Sequence, residues 1–147
     1  MKYSQAKMGR VFVARLYEGD VVHECIEQLA ADEKIAAASV LVVGGARGSS
    51  ALIVGPEDGD ARPVVPMRIT LGGTHEVAGV GTIFPDETGQ PILHMHFACG
   101  RGESTRVGCV RAGVVVWQVM EVVIQEITDT TGVRKPDEET GFSLLNA

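Results

Sequence analysis

A chain of 147 residues, 45% hydrophobic and 22% charged with the charges dispersed, has the material for one core and does not have the composition of an intrinsically disordered chain. A formal net charge of −6 and the lack of any basic run argue against a nucleic-acid backbone as partner, because such affinity comes largely from Lys and Arg. No stretch approaches the roughly 18 apolar residues of a membrane span, no apolar signal region follows Met1-Lys2-Tyr3-Ser4, and Cys25, Cys99 and Cys109 form no regular framework, so the expectation is a soluble cytoplasmic protein with reduced thiols.

Gly9 to Tyr17 reads as a first strand, and Gly19-Asp20 punctuates the chain with Asp20 as the expected helix N-cap. Val21, Val22, Cys25, Ile26, Leu29 and Ala30 recur at helical spacing with Glu24, Glu27 and Gln28 opposite, which predicts one amphipathic helix ending near Asp32-Glu33-Lys34. Ala36 to Val43 reads as a strand stopped by Gly44-Gly45. The segment Gly44-Gly45-Ala46-Arg47-Gly48 is read as a turn rather than a phosphate cradle, since no Lys-Ser/Thr completes it.

Ala51 to Val54 is a short strand, and Val64 to Ile69 contains Pro66, which suits an edge strand. Glu76 to Phe84 is a further strand, closed by the turn Pro85-Asp86-Glu87-Thr88-Gly89. Val114 to Ile127 is a long β-rich stretch; an exposed apolar edge on it would fit assembly in a purely structural module. The sum is α+β, about seven strands in a mostly antiparallel sheet with one main amphipathic helix. One domain spans 1–147, with its core at about 9–127. The polar segment 128–147 ends with Phe142, Leu144 and Leu145, expected to dock on the domain or on a neighbour.

The most informative stretch is Ile92-Leu93-His94-Met95-His96-Phe97. Successive strand side chains alternate in direction, so His94 and His96 project from one face and Cys99 from the other. Arg101-Gly102-Glu103-Ser104 reads as a tight turn. With Gly102 and Glu103 at its centre, a hairpin pairs Arg101 with Ser104 and His96 with Cys109. Directly opposed residues share a face with Cβ atoms about 5 Å apart, so two imidazoles and a thiol converge as a three-ligand zinc site with an open fourth position. A one-residue slip would send Cys109 to the other face.

Taken alone, the histidines would read as packing residues and Cys109 as a small core residue, or as a nucleophile beside His96. Continuing the same count sets Arg111 opposite His94, where it is a possible contact for an anionic ligand. Glu76 is the one catalytic candidate, as a general base or as an acceptor orienting a ligating imidazole, weighed against a solvated strand residue. His75 is expected at the surface.

In chain order come a strand, an amphipathic helix, a Gly-Gly turn, Gly73-Thr74-His75-Glu76 leading a strand, Leu93-His94-Met95-His96, Val107-Gly108-Cys109, and the closing run Arg134 to Phe142. That order resembles the PPC domain, the plants and prokaryotes conserved domain, in its stand-alone prokaryotic form. The resemblance implies a compact α+β fold and a homotrimer. It also implies a metal held by Leu-His-x-His and by the histidine of a following Gly-Gly-His. His94 and His96 match the first element, whereas Cys109 stands where that third histidine is usual; a thiolate favours zinc over harder ions.

Three functions follow as expectations. The first is a zinc-binding homotrimer whose site binds or acts on a small polar molecule, with enzyme activity left open. The second is a DNA-associated regulator like plant relatives, which carry an AT-hook that is missing here. The third is a purely structural trimeric interaction module.

Overall fold

The computed structural model describes all 147 residues. Strand β1 (Lys7–Tyr17) runs into helix α1 (Val22–Asp32), followed by β2 (Ala38–Ala46), β3 (Ala51–Pro56), β4 (Pro66–Thr70), β5 (His75–Pro85), β6 (Pro91–Arg101) and β7 (Ser104–Cys109). A short 3-10 turn, Val110–Ala112, leads to β8 (Val116–Thr128), and β9 (Val133–Pro136) and β10 (Ser143–Asn146) form a terminal hairpin. The first eight strands make one sheet in the order β1-β8-β2-β5-β6-β7-β3-β4, and every pairing is antiparallel. The α+β class and the single α-helix match the sequence reading. The strands number eight plus two rather than about seven.

Alternation decides which face is core. On β6, Leu93, Met95, Phe97 and Cys99 are buried, as are Val40 and Val42 on β2 and Met120, Val122 and Ile124 on β8. Helix α1 covers this face with Val22, Ile26 and Ala30 and packs on β6. Close approach between β5 and β6 depends on two glycines. A Cβ at Gly79 would collide with the ring edge of Phe97, and one at Gly81 would lie 2.6 Å from the Cβ of Met95. The bare backbone of Gly79-Val80-Gly81 is therefore the seat on which the core side chains of β6 rest.

Several local expectations are corrected. Asp20 is not the N-cap; Val21 holds that position without a side-chain bond, and the Asp20 carboxylate turns back to accept the Tyr17 N–H at 2.8 Å. Gly44-Gly45 do not stop β2, which continues to Ala46 beside a bulge where the Trp117 ring lies across Gly45. Strand β8 presents no free edge, since it pairs with β1 on one side and β2 on the other. Pro66 does begin an edge strand, β4. His75 is buried rather than at the surface, with Nδ1 2.8 Å from the Gly73 carbonyl. The terminal segment docks through Arg134, which is buried, while Phe142, Leu144 and Leu145 remain exposed.

The β1–β8 margin is fastened by Arg10, whose Nε and Nη2 donate to Glu126 at 2.9 and 2.8 Å while its backbone N–H donates to the same carboxylate at 3.0 Å. These bonds hold the Glu126 carboxyl down at about 2. A folded-state value below the unfolded one stabilises the fold above the ordinary carboxylate range, and that contribution disappears as pH falls from about 4.5 towards 2. Acid titration of thermal stability in this window is therefore expected to be steeper for the wild type than for Glu126→Gln. Parallel curves would refute the assignment.

Candidate metal centre

The alternation that buries Leu93, Met95 and Phe97 obliges His94 and His96 to face the other way, and both are exposed. Slipping β6 by one residue would bury two imidazoles and expose Phe97, so the core fixes the register of the histidines. The following turn is set by Gly102, whose φ of +58° at the first central position, with no positive φ at Glu103, suits a type II′ hairpin. From that turn the pairing runs Arg101 with Ser104, Gly100 with Thr105, Ala98 with Val107 and His96 with Cys109.

The geometry that results is close. His94 Nε2 lies 3.2 Å from His96 Nε2, with the rings edge to face at 74°. The two imidazole nitrogens and the Cys109 sulfur lie within 4.8 Å of one another. Tetrahedral zinc with Zn–N about 2.0 Å and Zn–S about 2.3 Å needs donors about 3.3–3.6 Å apart. The donor set and its spacing therefore fit a soft divalent metal after a small turn of the Cys109 side chain. His94 is held below the ordinary histidine value, first by desolvation where its neighbours partly cover the ring and then by the positive charges of Arg134, His96 and Arg111. The neutral imidazole so favoured is the form that ligates a metal. Cys99, by contrast, is pushed up to about 11 by burial on the core face, which makes it an inert thiol.

The other sequence candidates fall elsewhere. Strand β7 ends at Cys109, and Arg111 lies in the 3-10 turn, so it does not pair opposite His94. Its Nη2 donates to the Leu93 carbonyl and to Glu27 Oε1 on α1 (2.8 Å), and Glu27 also accepts the Leu93 N–H at 2.8 Å. Arg111 thus braces the strand carrying the histidines. Glu76 is exposed on the same face as His96 but lies four positions along β5 from Val80, the residue paired with His96. That is about 13 Å along the strand, too far to orient an imidazole or exchange a proton with the trio.

Sequence reasoning missed Arg134. This β9 residue is buried, and its Nη2 donates at 3.1 Å to Thr82 Oγ1, while Thr82 pairs directly with His94 across β5 and β6. The closing run Arg134 to Phe142 had pointed to the segment without indicating what it touches.

No helix is long and apolar enough to cross a membrane. Among solved structures, the chain resembles a metal-containing protein from Archaeoglobus fulgidus, with a TM-score of 0.84 at 22% identity over 100% of both chains. It also resembles a plant- and prokaryote-conserved protein from Pyrococcus horikoshii, with a TM-score of 0.85 at 23% identity, covering 100% of this chain and 98% of that one. At such identities the likeness is one of fold. A curated relative, the bifunctional protein GlmU of a Synechococcus strain, is 26% identical over 137 residues, 93% of this chain but only 20% of that protein. The chain thus spans about a fifth of the length of the curated relative it matches. The family model of the Plants and Prokaryotes Conserved domain matches residues 3–128, and the chain belongs to that family.

Proposed function

We propose that this protein holds one zinc ion per chain through His94, His96 and Cys109 and uses the open position to bind a small polar molecule. The observation that carries the reading is the convergence of two imidazoles and a thiol within 4.8 Å on the solvent-facing side of the sheet. The archaeal structural neighbour described as metal-containing supports it. A bound zinc supplies a Lewis acid that polarises an oxygen-bearing group. The chain's own contribution is placement: β6 fixes two imidazoles at strand spacing, β7 brings in the thiol, and the Arg111–Glu27 contact steadies Leu93 beside His94. Elemental analysis of untagged protein purified without added metal is the test, and about one zinc per chain is expected. Protein that contains no transition metal and takes up none on zinc reconstitution would sink the proposal.

The same reading includes a homotrimer. One row of directly opposed residues crosses six strands on the site face: Val13, Val123, Leu41, Val80, His96 and Cys109. Val13, Leu41 and Val80 are 81%, 49% and 62% exposed, and Val11, Val43 and Val107 are exposed on the same face. So much contiguous apolar surface suits association with further copies of the chain, and the family resemblance suggests three. Leu41→Glu is expected to convert the trimer to monomer in light scattering with the fold intact by circular dichroism. A wild-type protein that is monomeric at micromolar concentration would contradict this part of the reading.

A further inference from the structure

A buried guanidinium normally has a carboxylate beside it, because desolvating an unpaired charge is costly. Arg134 has none. It is only 5% exposed, yet it belongs to none of the ion pairs of the chain. Its side chain makes one hydrogen bond, from Nη2 to Thr82 Oγ1, its Nε is sealed without any partner, and its guanidinium carbon lies 6.0 Å from the Phe84 ring centre. Thr82 sits directly across from His94, so the guanidinium lies at the flank of the metal centre.

Arg111 adds positive charge nearby. Its Nη2 donates to the carbonyl of Leu93, the neighbour of His94, and the one acid in contact with it, Glu27, pairs with it without reaching Arg134. The local sum is an uncompensated cation at the edge of three metal donors. Planar N–H donors of this kind match the paired oxygens of a carboxylate or phosphoryl group.

We infer that Arg134, positioned by Thr82, is the oxyanion subsite of the metal centre and binds a carboxylate or phosphoryl group of the small molecule that occupies it. The inference rests on the reading of this patch as a small-molecule site. It narrows the ligand class to compounds that carry an anionic oxygen group next to the atom presented to the metal. Arg111, by its bond to Glu27, serves the scaffold instead.

The test is isothermal titration of inorganic phosphate and, separately, of acetate into the full-length protein, both metal-free and zinc-loaded. Wild type, Arg134→Gln, Arg134→Lys and Thr82→Val are compared. At least one anion is expected to bind wild type and to bind Arg134→Gln at least about tenfold more weakly. Arg134→Lys is expected to fall between them, as a point charge without the planar fork. Thr82→Val is expected to weaken binding with the fold unchanged, and it serves with Arg134→Lys if Arg134→Gln does not fold. Preference for phosphate or for acetate tells which oxyanion the site takes.

Zinc content, measured on the same samples, is expected to be equal in all four proteins. A failure of the metal reading would show there, while anion binding by metal-free protein is scored separately. Wild type that binds neither anion, or variants that bind as well as wild type, would overturn the inference. So would Arg134→Gln that dissociates the oligomer without altering anion binding, since Arg134 would then pair with a neighbouring subunit.

Discussion

His96→Ala protein is expected to fold normally and to lose its zinc. His96 is the middle donor, 3.2 Å from His94 through their Nε2 atoms and directly opposed to Cys109 across the hairpin. Removing it leaves two donors with no residue between them. Loss of an outer partner of a metal ligand already costs roughly 10–100-fold in affinity, so loss of a ligand should cost more than about a hundredfold. The metal-free fold should change little, by about 0.5 kcal/mol or less, because the imidazole is exposed and the core lies on the other face. Competition against a chromogenic chelator reads the affinity, and thermal unfolding of chelator-treated protein reads the fold. Cys109→Ser is expected to weaken zinc in the same assay, whereas Cys109→His should restore binding and shift preference towards harder metals. Wild-type zinc affinity in His96→Ala would remove the trio from consideration.

The largest effect on stability is expected from Gly79→Ala. The added methyl would enter the space occupied by the Phe97 ring edge, and Phe97 is fully buried with no room to retreat. Overpacking of this kind costs about 1–3 kcal/mol, and β5 and β6 are adjacent central strands that cannot yield separately. A fall of several degrees in the melting temperature is expected. Pairing the change with Phe97→Leu gives a sharper check: the double variant should be more stable than the sum of the two single losses predicts. Strict additivity would show that the methyl finds space elsewhere.

These two cases also mark what the sequence could disclose. The trio was legible because its placement follows from rules that act over a few residues: side chains alternate along a strand, and a Gly-led two-residue turn fixes the pairing beyond it. The same count failed for Arg111 because strand geometry ends at Cys109 and the chain winds into a 3-10 turn. Val114 to Ile127 reads as a strand, but its place between β1 and β2, which leaves it no free edge for assembly, is a matter of topology. Arg134 was invisible for a similar reason. It meets Thr82 from 52 residues away, and nothing within Val133–Pro136 indicates that encounter. Glu76 was correctly placed on a strand, but only the full register shows how far along β5 it stands from His96.

The alternation of β6 has a further consequence. Leu93, Met95 and Phe97 serve the core, and His94 and His96 serve the opposite surface, within a single run of five residues. Cys109 likewise follows a buried glycine and precedes the buried Val110. The instructions for folding and those for ion choice are thus written in alternate letters of one segment. A donor on the outer face can be exchanged, thiol for imidazole, without disturbing a methylene of the interior. Such a sheet is a chassis on which metal preference can drift while the architecture stays constant.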